Sequence, residues 1–326
     1  MHENRPRVTA TQCSSTPAQM LWLIGLGLFD EKDVTVRGLE VIQKCHKVFL
    51  ENYTSILHVS PERLSQFYGK EIIVADRELV ERQAEEVILE AAAEDPLNKD
   101  VAFLVVGDPF GATTHSDLLA RAVERGISVR TIHNASIMNA VAACGLQLYS
   151  FGQTISIPFF TERWRPTSFY PRIVSNHQAG LHTLCLLDIK VKEVSEENMI
   201  RGRMNVFEPP RFMTCNQAIS QLLECEASLK GNIARPQDLA VAIVRLGAPD
   251  QIIRAGSMAE LEATDFGAPL HALVIPGPNL HELELKLLQI EPQEKVLSED
   301  QESKLILKLL KLLDNKFLED LELKLK

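Results

Sequence analysis

The chain has 326 residues, 45% hydrophobic and 24% charged, with a formal net charge of −10. That length gives room for two domains, and the acidic balance argues against a general phosphate-backbone binder, so no direct nucleic-acid partner is expected. No run of about 18 apolar residues occurs and the N-terminus lacks the apolar stretch of a secretory signal, so we expect a cytoplasmic protein without membrane attachment.

Residues 1–19 hold Arg5, Arg7, two prolines and a Ser/Thr cluster with little apolar content, and read as a disordered extension. Residues 21–24 form an apolar run that stops in Gly25-Leu26-Gly27-Leu28, a strand followed by its loop. Val36, Leu39, Ile42 and Cys45 recur every three residues and predict a helix on a sheet. Strands are expected at 47–50 and 72–74, then a helix over 79–93 with Val80, Ala84, Val87, Ile88 and Ala91 on one face. Residues 101–106 are continuously apolar, as a strand covered on both faces should be. After the loop Gly107-Asp108-Pro109-Phe110-Gly111, Thr114 and Asp117 stand at capping-box spacing and Gly126 at a C′ position, so a helix is expected over 115–125. A strand at 129–132 then turns through 133–136 into a short helix ending near Gly145. Strand and helix alternate, so this half is α/β and mostly parallel.

The Pro- and aromatic-rich passage 159–171 marks the crossing into a second α/β domain, with expected bounds of 20–157 and 158–290. Its strands are predicted at 183–187, 239–244 and 271–275. One helix is signalled by a Thr214/Gln217 capping box, a stripe of Ile219, Leu222 and Leu223, and Gly231 as its close. Residues 291–326 read as a charged linker and a leucine-rich amphipathic helix (Ile306, Leu310, Leu313, Phe317, Leu321) that docks on its own or a partner subunit.

Cofactor motifs are mostly excluded. Gly25-x-Gly27 opens like a dinucleotide fingerprint, but Asp30 takes the third glycine's place and would oppose a pyrophosphate; no Walker-type phosphate loop occurs. The six scattered cysteines show no C-x-x-C and no histidine at ligand spacing, so no metal site or disulfide framework is expected. The Gly107 to Gly111 loop is more informative: it leaves a buried strand at the mouth of a sheet and presents one carboxylate and exposed amides. The alternative is a plain turn in which Asp108 closes its own Asx turn. His115 and His133 read as capping or packing residues, and His271 alone carries little weight.

Taken together, MLWLIGLGL (20–28), ENYTS (51–55), VADR (74–77), VVGDPFGATTHSD (105–117), IHNASIMN (132–139), TLCLLD (183–188), EPPR (208–211) and PLH (269–271) resemble the diphthine synthase family over residues 20 to 288. The resemblance implies two α/β domains of tetrapyrrole methylase-like fold, not the Rossmann-like methyltransferase, with S-adenosyl-L-methionine in the cleft between them and S-adenosyl-L-homocysteine as product. It implies cofactor contacts by Leu28, Asp108, Gly111, Ser136, Ile137, Leu187, Leu246 and His271, names no catalytic acid or base, and involves no metal. The implied substrate is an aminocarboxypropyl-histidine of translation elongation factor 2, trimethylated at its amine and, in eukaryotic members, esterified at its carboxyl; a homodimer is implied as well. Two other readings stay open: a methylase of a small tetrapyrrole, and a non-catalytic partner of the factor that binds cofactor without turnover.

Overall fold

A computed structural model describes residues 20–53, 55–57, 59–93, 100–194, 196–203 and 206–288. The expected N-terminal extension and leucine-rich C-terminal helix lie outside the described residues.

The first half is a five-stranded sheet of β1 (Met20–Gly25), β2 (Lys47–Glu51), β3 (Ile73–Ala75), β4 (Val101–Val105) and β5 (Ser128–Ile132). All its pairs are parallel, in the order β3-β2-β4-β1-β5. β4 lies in the middle, where both faces are covered, and every one of its residues is buried. Side chains alternate between two cores. Leu21, Leu23, Phe103 and Val105 face Ala84, Ile88, Leu118 and Ala122, whereas Ile24, Ala102 and Leu104 face Ile42, Leu64 and Tyr68. The helices linking β1 to β2 and β2 to β3 therefore cover one face, and those linking β3 to β4 and β4 to β5 cover the other. Such winding brings the carboxyl ends of all five strands, and the loops that leave them, to one edge.

Several local expectations change here. The helix expected over 79–93 starts at Arg77, capped by Asp76 Oδ1 accepting from Leu79 N at 2.9 Å. It then runs as Arg77–Arg82, a wider π-turn over Glu85–Leu89, and Glu90–Ala93. The wide turn lets Ala84 and Leu89, five residues apart, share the buried face. The Thr114/Asp117 capping box does not form: Asp117 pairs with Arg121 at 2.7 Å one turn on, and His115 holds the N-cap without a side-chain bond. Gly126 does end that helix, at φ 73°, with Ile127 N donating back to Ala122 O at 3.0 Å. The helix Pro61–Tyr68 was not anticipated, although Ser60 as cap, Pro61 at its start and Gly69 at φ 68° announce it.

The second half contains β6 (Ile155–Ile157), β7 (Thr183–Leu187), β8 (Ile189–Lys190), β9 (Arg211–Phe212), β10 (Leu239–Val244), β11 (Ile252–Ser257) and β12 (His271–Ile275). Its sheet runs β11-β10-β12-β7-β6; only β6 and β7 pair in parallel, while β8 and β9 form a separate ribbon. Because β6 lies in this sheet, the chain changes sheets before Ile155, upstream of the expected crossing. The helix Cys215–Leu229 carries its expected capping box, with Gln217 N to Thr214 Oγ1 at 3.2 Å and Thr214 N to Gln217 Oε1 at 3.1 Å. Its close differs: Lys230 takes the left-handed position (φ 54°), and Gly231 lies where a Cβ would come within 2.7 Å of Tyr170 Oη and Val174 Cγ2. On its other face the sheet packs Leu184, Val241, Ile243 and Val274 against Val141, Cys144 and Leu146, which leave the first half. The two sheets thus join in one compact unit.

Candidate functional site

Three loops at the carboxyl edge of the first sheet are hydrogen-bonded into one floor. The loops after β1 and β4 meet as a bridge of paired glycines, with Gly107 N donating to Gly27 O at 2.7 Å and Gly27 N to Gly107 O at 3.2 Å. Both take positive φ, 81° at Gly27 and 78° at Gly107, which L side chains adopt only with strain. The loop after β5 closes the floor: Asn134 Nδ2 donates to Gly25 O at 3.0 Å and Asp33 O at 2.9 Å. Asp33 Oδ2 in turn accepts from Leu28 N and Phe29 N, at 3.2 and 2.8 Å. The Gly25-x-Gly27 pair therefore serves close backbone approach rather than a dinucleotide.

Asp108 belongs to the same framework. Its Oδ1 accepts from Phe110 N at 3.0 Å, the Asx-turn geometry, and its Oδ2 accepts from Asn134 N at 3.0 Å and lies 2.9 Å from His133 Nδ1. The carboxylate thus ties its own loop to the one after β5. Gly111 lies where a Cβ would come within 2.4 Å of Ser136 Oγ. Ser136 opens the helix Ile137–Ala140 through a capping box with Asn139, Ser136 N donating to Asn139 Oδ1 at 2.8 Å.

Above this floor the second sheet closes a cleft with about 900 Å³ of empty space, part of it open to solvent. Leu28, Gly111, Ser136, Ile137, Leu187, Leu246 and His271 all line it, seven of the eight residues singled out in the sequence; Asp108 does not. The halves touch where Leu28 meets the loop after β10: a Cβ on Gly247 would come within 2.9 Å of Leu28 Cβ. Sequence reasoning missed Ser55, Ala112, Thr113, Ile189, Ile243 and Arg245 on the same walls. Ser55, Ala112 and Thr113 adjoin motifs already in view, but no local signal marks Ile189 or Arg245.

The polar side chains of the cleft are largely committed elsewhere. His271 is buried; its Nδ1 accepts from Cys215 N at 3.2 Å and its Nε2 donates to Ala268 O at 3.0 Å. Burial first, with Arg245 adding to it, holds its pKa below the ordinary value, so the ring is a neutral wall and a cap for the helix Cys215–Leu229. Arg245 donates to Asp250 at 2.7 Å, to Phe266 O at 3.0 Å and to Ala268 O at 2.7 Å. The buried thiols of Cys45, Cys185 and Cys215 are pushed up to about 12 by desolvation and are not nucleophiles. Among the described residues no His/Cys/Asp/Glu group is arranged for a metal ion, and no helix is long and apolar enough to cross a membrane. A ligand here meets apolar walls and must find most of its hydrogen bonds on backbone groups.

The parallel sheet faces a mixed sheet across this cleft, and the model of the Tetrapyrrole (Corrin/Porphyrin) Methylases matches residues 20–262, which makes the chain a two-sheet methylase. The chain is 60% identical over 270 residues to a diphthine methyl ester synthase of Yarrowia lipolytica, covering 82% of this chain and 88% of that one. It is 54% identical over 275 residues to a diphthine methyl ester synthase of Homo sapiens, covering 83% and 94%. Among solved structures, one from Entamoeba histolytica is 48% identical with a TM-score of 0.72, over 83% of this chain and 97% of that one. A diphthine synthase at 31% identity gives 0.70, over 82% and 94%. The chain belongs to the tetrapyrrole methylase family of methyltransferases, on the branch of the diphthine methyl ester synthases.

Proposed function

We propose that the chain binds S-adenosyl-L-methionine in this cleft and methylates the aminocarboxypropyl-histidine of translation elongation factor 2 in diphthamide biosynthesis. Three methyls go to the amine and one to the carboxyl, as a methyl ester. The observation that carries the reading is that seven residues far apart in the chain, from loops, a helix start and strand ends of both halves, line one cleft. The printed names of the relatives support the substrate and the ester. On family analogy the enzyme works in the cytoplasm as a homodimer.

The lining fits the cofactor. Leu28, Ile137, Leu187 and Leu246 offer apolar cover for a flat base, as small-molecule sites do. Bound there, S-adenosyl-L-methionine supplies a methyl already activated on a sulfonium. The floor loops hold backbone amides and carbonyls in place, and carbonyls of the Gly107 to Gly111 loop can favour a polarised methyl through weak C–H contacts. Alignment of this kind is worth about 7–11 kcal/mol. Beside a free carboxylate an α-amino group keeps only a minor neutral fraction near neutral pH, which solvent can supply by taking its proton. No side chain is assigned as a general base, and Asp108 acts by holding the floor.

The test is incubation of the full chain with labelled S-adenosyl-L-methionine and elongation factor 2 carrying the aminocarboxypropyl group. Label on the factor, resolved by mass spectrometry into three amine methyls and one ester methyl, is expected. Cofactor binding by calorimetry without any label on the factor would refute the substrate.

A further inference from the structure

Beside the cofactor cleft lies a second chamber, which shares Ala112, Leu186, Leu187 and Ile189 with it. Its far walls bring together Tyr53 and Arg77 from the first half with Trp164, Phe169 and Asp188 from the second. The ENYTS motif, which also gives Ser55 to the cofactor cleft, and the VADR motif, which has no role there, supply the first two. The chamber has one basic and one acidic lining side chain, set among aromatic rings.

Arg77 is the basic one. Its guanidinium lies over the ring of Tyr53, 5.4 Å from the centroid, and its Nε is 3.5 Å from Glu81 Oε1. Among the described residues Glu81 is its only ionic partner, and its side chain is 65% exposed. Of the two acids that flank it in sequence, Asp76 does not compete for it, since Asp76 is bound to Lys192 at 2.6 Å and caps Leu79 N. Tyr53, the platform beneath it, is fixed in turn by Glu51 Oε1 accepting from its backbone N at 2.7 Å. Across the chamber, Asp188 is anchored by Phe159 N at 3.1 Å and faces Lys190 at 3.6 Å. A guanidinium stacked on a ring keeps its planar fork ready for a carboxylate.

We propose that this chamber receives an α-amino-acid head carried on a protein side chain, and that Arg77, stacked on Tyr53, is the specificity residue that binds its carboxylate. For the three amine transfers the amine then points through the shared wall of Ala112, Leu187 and Ile189 toward the cofactor cleft, with Asp188 and Trp164 beside it, and the ester transfer requires the carboxylate to leave Arg77. Aromatic faces also suit the quaternary ammonium that successive methylations create. This inference rests on the methyltransferase reading above and adds the group that recognises the substrate.

The test compares binding of the full-length protein, in the presence of S-adenosyl-L-homocysteine, to elongation factor 2 with an unmodified histidine and with the aminocarboxypropyl form. Wild type should prefer the modified factor by about tenfold or more, the size expected of a charge-assisted pair. Arg77→Ala should erase that preference and raise KM at little cost in kcat, Arg77→Lys should restore part of it, and affinity for S-adenosyl-L-homocysteine should not change. Equal weakening toward both forms of the factor would make Arg77 a general docking residue and overturn the proposal. So would an unchanged preference, or a loss of cofactor affinity. A wild type that binds the modified factor preferentially but leaves it unlabelled would sink the methylation reading while leaving Arg77 in its role.

Discussion

A single hydrogen on Gly111 lets the loop after β4 lie against Ser136. Gly111→Ala would put a carbon 2.4 Å from Ser136 Oγ, so the floor must spread. The expected outcome is a stability loss of about 1–3 kcal/mol with a marked drop in cofactor affinity by calorimetry; wild-type affinity would argue against this loop as a cofactor wall. Asp108 behaves differently, because its carboxylate bonds to Phe110 N and Asn134 N instead of lining the cleft. Asp108→Ala should lower Tm and cofactor affinity together, at a cost of about 1–3 kcal/mol; lost affinity at unchanged Tm would point to a direct contact instead. At His271 the effect runs through pH. Burial lowers the folded-state pKa from the ordinary 6.5, so the unfolded chain takes up the proton first. Its contribution is fully present above 6.5 and is lost as pH falls toward the lowered folded value. His271→Asn keeps an acceptor for Cys215 N and removes the titration, so the fall in Tm between pH ~7 and ~5 should shrink.

At the scale of elements, the helix Cys215–Leu229 shows what local sequence can specify. Its capping box depends only on Thr214 and Gln217, so it was legible, and Thr214→Ala should cost about 1 kcal/mol, seen as a lower Tm with methyl transfer retained. The same spacing at Thr114 and Asp117 failed because Arg121, one turn on, offers Asp117 a charged partner. The π-turn at Glu85–Leu89 was not legible, since it answers to the sheet face the helix covers. Nor was the allegiance of β6, which is decided by pairing with Cys185 to Leu187 about thirty residues downstream in a ladder no local pattern encodes. The helix Pro61–Tyr68 is a different matter: Ser60, Pro61 and Gly69 carry a local signal for both of its ends.

The whole molecule is a floor and a roof, and only the floor could be read from pattern. A buried apolar strand running into Gly-Asp-Pro marks the mouth of a parallel sheet. Leu187, Leu246 and His271 have no such mark; they reached the site through the family resemblance, and the roof exists because β7, β10 and β12 pair across the chain. The leucine-rich segment beyond Pro292 carries the sequence pattern of an amphipathic helix, and we propose it for self-association. Truncation after Pro292 should therefore weaken self-association in sedimentation equilibrium, and an unchanged oligomeric state would remove that role.

The commitment of His271 and Arg245 to backbone and Asp250 reaches into the kinetics. With both side chains occupied, neither is free to take a proton from an arriving amine. A pH–rate profile for the amine transfers should then rise through one ionisation, that of the substrate's amine, and level off without an alkaline fall. Each methyl added before the quaternary state would shift that one midpoint, so the profile would record how far the substrate has advanced.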